Sequence, residues 1–297
     1  MTAVRLQRIG AARRLGGFVA LTKPRIIELL LVTTLPTMVV AARGLPGWGL
    51  VAATLVGGTL AAGGANAFNM VVDRDIDAVM RRTRRRPLVT GVVRPAEAVV
   101  FAAALEAGAF ALLWLEVNPL SAVLAVSATA FYVLVYTLWL KRTSRQNIVI
   151  GGAAGAVPVL VGWAAVRGSV GWAPVALFAL MFLWTPPHFW ALAIRYRDDY
   201  RSVDVPMMPV VTSFKRTAAQ IVGYTALVGV VSLVFAWTAG MGVVYWVSAS
   251  VLATVFLVLA WQLWRDPVEA RAMRLFHWSI TYVTLLFAAM TVDQLLR

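Results

Sequence analysis

Long apolar runs follow one another along this chain, separated by short polar breaks. A helix needs about 20 apolar residues to cross the hydrocarbon core of a bilayer. Reading on that length predicts nine spans, at 26–43, 48–68, 97–116, 119–139, 148–166, 172–194, 217–239, 243–264 and 276–296. Three joins are very short, from Arg43 to Gly47, at Val117 and Asn118, and from Ala239 to Gly242, as antiparallel neighbours require. The expected fold is an all-α integral membrane bundle of about nine transmembrane helices. Residues 1–297 form a single domain, with 1–22 as an N-terminal arm.

Charge decides the orientation. With the N-terminus inside, 24 of the 27 Lys and Arg fall in the cytoplasmic segments, and only Arg43, Arg167 and Arg297 fall outside. The excess obeys the positive-inside rule and predicts a cytoplasmic N-terminus and an outside C-terminus. Composition agrees, because 61% hydrophobic and 13% charged residues are far from soluble averages. A formal charge of +14 could suggest nucleic acid, but cationic loops facing anionic lipid account for it, and no nucleic-acid partner is expected. The chain has no cysteine, which excludes disulfides, thiolate catalysis and Cys-based metal sites. The arm carries Arg5, Arg8, Arg13 and Arg14 without the apolar stretch and small-residue site of a signal peptide. A bacterial inner membrane is the expected location.

The acids are as unevenly placed as the cations. Asp73, Asp75, Asp77, Asp198, Asp199, Asp204, Asp266 and Glu269 all fall in cytoplasmic segments. At about 100° per residue, Asn66, Asn69, Asp73 and Asp77 occupy one stripe less than a quarter-turn wide, and Asp75 points the other way. If span 2 continues through this stretch, it presents two amides and two carboxylates along one face. Such hard oxygen donors suit Mg²⁺, which is commonly shared between carboxylates and substrate phosphates. A solvated helix end is the plain alternative, but acids at a helix C-terminus oppose the macrodipole, and Asn66 lies within the span.

Asn69-x-x-x-Asp73-x-x-x-Asp77 resembles the first acidic motif of the UbiA-type intramembrane prenyltransferases. The fuller string DRDIDAVMRRTRRRPL (73–88) resembles, more narrowly, the haem-farnesylating branch of that family, the protohaem IX farnesyltransferases or haem O synthases. LTKPRI (21–26), YTLWLKR (136–142), NIVIGG (147–152), WTPPHFWALAIRYRDDY (184–200) and PMMPV (206–210) match in the same order. The resemblance implies a UbiA-type domain that uses Mg²⁺ to move the farnesyl group of farnesyl diphosphate onto a vinyl group of haem B, with water addition, giving haem O. Haem-pathway or oxidase-assembly proteins would be further partners, besides the lipid bilayer.

It also implies roles for particular residues. Asn69, Asp73, Asp77 and Asp199 would be the catalytic metal ligands. Arg82, Arg86 and Lys141 would meet the diphosphate or the haem propionates. Lys23 and Arg25, flanking Pro24, are either topology anchors or further anion ligands, and Asn66 joins the substrate side. His188, after Pro186 and Pro187, would position haem, with the proline pair opening the helix backbone nearby. Tyr132, Tyr136, Trp184, Phe189 and Trp190 either line a farnesyl pocket or belong to interfacial belts and packing. The second acidic group departs from the wider family: no pair among Asp198, Asp199 and Asp204 keeps a four-residue spacing, which leaves the number of metal ions and the roles of Asp198 and Asp204 open. A UbiA-type enzyme acting on an aromatic or chlorophyll-like acceptor is the nearest alternative. A transporter is more distant, because it predicts acids through the depth of several helices.

Overall fold

The computed structural model describes residues 10–297, so Arg5 and Arg8 of the expected arm lie outside the described residues. The described part of the arm is itself a helix, α1 (Ala11–Thr22). It buries Leu21 and packs Phe18 against a small cluster formed by Ala67, Met70, Leu88, Val93 and Ala98. Arg14 closes this contact with an ion pair to Glu97 at 2.5 Å.

Nine long helices follow the predicted spans. They are α2 (Pro24–Ala42), α3 (Trp48–Val72), α5 (Pro95–Glu116), α6 (Pro119–Ala130) with its continuation through α7 (Lys141–Thr143), α8 (Asn147–Arg167), α9 (Trp172–Arg195), α12 (Phe214–Thr238), α13 (Val243–Arg265) and α14 (Glu269–Leu295), with the short α4 (Arg74–Val79), α10 (Arg197–Arg201) and α11 (Met208–Val211) in the joins. Prolines 24, 95 and 119 stand at the first helical position, where no amide hydrogen is needed. Eight of these helices are long and apolar enough to cross a membrane. In α2 the described apolar stretch is Leu30–Ala42. No strand occurs among the described residues.

Consecutive helices adjoin around a ring, and α14 returns to contact both α2 and α9. Small residues bring α3 and α5 together: a Cβ at Gly57 would collide with Leu113, and one at Gly64 would meet the Ala102 carbonyl at 3.0 Å. Trp48, Trp172 and Trp237 are 80%, 81% and 78% exposed. They stand at the start of α3, the start of α9 and the end of α12, which the alternation of helices puts at one end of the bundle. Exposed tryptophans gathered at one level are what an aromatic belt at a bilayer interface needs.

At that same end, buried Asp293 of α14 accepts hydrogen bonds from Gly242 N at 2.6 Å and Tyr245 N at 3.2 Å. It thereby satisfies two free amides at the start of α13. Asp293→Ala should cost about 1–2 kcal/mol of stability, read as a lower thermal midpoint, with activity per folded molecule unchanged.

Candidate active site

The acidic face forms, with one adjustment. The helix pauses at Asp73, which separates α3 from the short α4 (Arg74–Val79), but the ladder bonds Asp73 N to Asn69 O and Asp77 N to Asp73 O persist at 2.9 Å. Asn66, Asn69, Asp73 and Asp77 are all buried. Asp75 points outward as predicted, in a bidentate pair with Arg142 at 2.7 Å for each oxygen. The Arg142 guanidinium holds the Asp75 carboxyl down to about 2.

Around the buried acids the chain places cations from three distant segments. Lys141 Nζ donates to Asp73 Oδ2 at 2.5 Å. Arg86 Nη1 donates to Asp77 Oδ2 at 2.6 Å. Lys23 Nζ donates to Asn69 Oδ1 at 2.8 Å, and the Asn69 amide donates to Asp73 Oδ2 and to Thr137 Oγ1. Lys23 occupies the joint between α1 and α2 with a positive φ of 52°. Burial, with the charges of Arg86 and Lys141 close by, pulls its ammonium down to about 7. Asp73 Oδ1 is buried without a hydrogen bond, with the Arg142 guanidinium at 4.0 Å.

A third group closes the mouth. Arg82 offers its backbone N–H to Asp199 Oδ2 at 3.2 Å and its guanidinium to Tyr200 OH at 3.2 Å, lying over the Tyr196 ring at 4.9 Å. Asp199 and Tyr200 belong to α10 (Arg197–Arg201), directly after α9. Asp198 pairs with Arg201 on the exposed side, and exposed Asp204 takes a left-handed turn conformation that aspartate tolerates. Among the described residues no three acidic or histidine side chains gather into one metal cluster. Asn69 touches Asp73 directly, and Asp77 follows one turn later on the same face.

Below this polar mouth lies an apolar cleft. Its walls include Leu31, Leu55, Ala62, Ala128 and Val161, with Asn66 and Tyr132 also facing it. From Thr54 to Asn66 it follows α3 for about 18 Å, at 1.5 Å rise per residue. Asn66, on the cleft wall, precedes Asn69 by three residues on α3, so the cleft starts about one turn from the acidic face. The Asn66 amide donates to Thr22 O at 3.0 Å, tying the α1 end to this wall.

Two predicted residues stand apart from the acids. Arg25 is exposed at the start of α2. His188 faces α14, stacked between Trp184 (4.2 Å) and Phe276 (4.8 Å), with Nδ1 at 2.7 Å from Ser279 Oγ. The proline pair does not open α9, which runs unbroken to Arg195. Of the aromatics, Trp184 and Trp190 are buried in the main core, and Tyr136 stacks on Tyr132 at 5.4 Å.

Several features were not predicted. Residues Phe131–Leu140 form a π-helix, in which Thr137 Oγ1 donates to Tyr132 O and then meets Asn69. Asn147 is buried with neither amide atom hydrogen-bonded. Glu106 carries a carboxyl into the middle of α5, where Thr129 donates to it at 3.1 Å, so the acids do not all lie at one face. An ionisable residue inside an apolar run was the available signal.

Residues 30–281 match the model of the UbiA prenyltransferase family. A relative from Parafrankia sp. named protoheme IX farnesyltransferase is 53% identical over 289 residues, covering 96% of this chain and 92% of its own. Among solved structures, a digeranylgeranylglyceryl phosphate synthase superposes with a TM-score of 0.79 at 16% identity, covering 96% of this chain and 99% of that one. A UbiA homolog from Archaeoglobus fulgidus bound to GPP and Mg2+ superposes with a TM-score of 0.65 at 16% identity, covering 92% and 99%.

Proposed function

The chain belongs to the UbiA prenyltransferase family and is a multi-pass membrane enzyme; from that membership we propose that it joins the farnesyl group of farnesyl diphosphate to a vinyl group of haem B, with addition of water, and releases diphosphate. The observation that carries the reading is the buried Asn69–Asp73–Asp77 face, ringed by Lys23, Arg86 and Lys141, at the head of an apolar cleft. The family resemblance and the haem-farnesylating name of relatives near half identity supply the acceptor.

The residues fit Mg²⁺. Asp73 Oδ1 is a buried carboxylate oxygen without a hydrogen bond, and buried Asn69 and Asp77 add hard oxygen donors on the same face. Asn69, Asp73 and Asp77 would hold the metal, with Asp199 joining from α10. When bound, Mg²⁺ neutralises charge that develops on the departing diphosphate. Arg82, Arg86, Lys141 and Lys23 take the remaining phosphate oxygens, exchanging their present phenol, carboxylate and amide partners for them. The cleft holds the farnesyl chain and keeps water from the allylic carbon. Heterolysis of its C–O bond leaves a farnesyl cation, the haem vinyl carbon attacks it, and water captures the resulting cation and loses a proton. His188 faces haem, and the active site opens to the cytoplasm of a bacterial inner membrane.

Mass spectrometry of haem B incubated with the purified protein, farnesyl diphosphate and Mg²⁺ tests the reading. A haem heavier by farnesyl plus water, absent with EDTA, is the expected product. Unmodified haem from folded protein would redirect the search to aromatic acceptors.

Lys23 adds a pH signature. Its ammonium, held near 7 without substrate, is charged below that pH and neutral above it. A bound diphosphate favours the charged form, so binding takes up a proton near neutrality. Farnesyl diphosphate affinity should therefore fall as pH rises above about 7. Calorimetry in buffers of different ionisation enthalpy should show the uptake, and Lys23→Met should remove it.

A further inference from the structure

We infer that Ser279 is a positioning residue that fixes His188 as the tautomer with a bare Nε2, ready to ligate haem iron; this rests on the reading that His188 meets haem. Ser279 Oγ lies 2.6 Å from Phe276 O and 2.7 Å from His188 Nδ1. A hydroxyl has one hydrogen, and a carbonyl oxygen only accepts. Two oxygens at 2.6 Å without a hydrogen between them would repel, so the Ser279 hydrogen belongs to the Phe276 carbonyl. The serine oxygen must then accept from His188 Nδ1–H. A neutral imidazole carries one ring hydrogen, and placing it on Nδ1 leaves the lone pair on Nε2.

The surroundings hold the ring in that attitude. Trp184 and Phe276 clamp its two faces, and Trp184 Nε1 donates to Ser279 O at 2.9 Å, locking the clamp to the same turn of α14. Ser279 is completely buried, so water does not compete for its hydroxyl. Among the described residues nothing hydrogen-bonds Nε2, and that atom is not among the buried ones. A neutral histidine whose Nδ1–H is engaged and whose Nε2 is open is the arrangement that outer partners impose on metal-ligating imidazoles.

The chain has only two histidines, so the tautomer can be read directly. In ¹⁵N-histidine-labelled protein carrying His277→Gln, the one remaining imidazole should show a protonated Nδ1 and a bare Nε2. Ser279→Val removes the hydroxyl at the bulk of threonine, and Ser279→Thr restores it. The valine variant should show mixed tautomers and bind ferric haem B about 10-fold or more weakly. The threonine variant should keep the parent spectrum and affinity. His188→Ala should lose the imidazole-ligated haem spectrum and regain it with added imidazole. A protonated Nε2 in the parent, or a valine variant with unchanged tautomer and affinity, would overturn the role of Ser279. The expected tautomer together with unaltered haem binding in His188→Ala would instead remove haem from the site, and the proposal with it.

Discussion

Asp73→Asn should lower turnover by about 10³-fold or more and leave the fold in place. The side chain changes by one atom, keeps its volume, and can still accept from Lys141 through its amide oxygen. What disappears is the charge at the carboxylate of the acidic face that has a buried oxygen without a hydrogen bond. Lys141 loses its counter-ion but not its refuge: its side chain is 12% exposed at the mouth, and a flexible four-carbon stem lets the ammonium reach water. Thermal midpoint should therefore fall little. Farnesyl diphosphate turnover at saturating Mg²⁺ is the measurement, with the inactive protein's helix content as its control. Near-normal turnover would remove Asp73 from the metal site and leave the acidic face without a catalytic reading.

How much of this site was legible in the sequence depends on how far its contacts reach. The row Asn66, Asn69, Asp73 and Asp77 follows from helical period alone, and it survives the pause at Asp73 because the i→i−4 bonds continue. The positive-inside count brings Lys23, Arg86 and Lys141 to the same end, yet it says nothing about which cation meets which acid. That pairing is decided by helix rotation, which hydropathy does not report. Lys141 and Arg142 are neighbours, but they reach Asp73 and Asp75 on different sides of one helical stretch. The π-helix was illegible for a related reason. Phe131–Leu140 reads as an ordinary apolar run, and the change from i→i−4 to i→i−5 bonding that lets Thr137 meet Asn69 leaves no mark in residue type. Ser279 and His188 are 91 positions apart, so only packing of α9 on α14 pairs them. Glu106 is the opposite case: the residue was plain in the sequence, and its partner Thr129 was not.

Lys141→Met should go further than Asp73→Asn, removing activity and stability together. Without the ammonium, the Asp73 carboxylate keeps one amide donor from Asn69 and a guanidinium at 4.0 Å, and it has no flexible stem with which to reach water. Breaking a buried pair from the side that leaves an enclosed charge typically costs about 3–5 kcal/mol. For a chain of this size that lowers the thermal midpoint by roughly 10 °C, at about 2–4 °C per kcal/mol. The double variant Asp73→Asn, Lys141→Met separates the two consequences. With neither charge present, no unpaired carboxylate remains inside, so the midpoint should return most of the way to that of the parent, while turnover stays as low as in Asp73→Asn. Midpoints of the four proteins in one lipid environment close the cycle. A double variant no more stable than Lys141→Met would mean that the lysine supports the fold through packing of its stem, and that its pairing with Asp73 contributes little to stability.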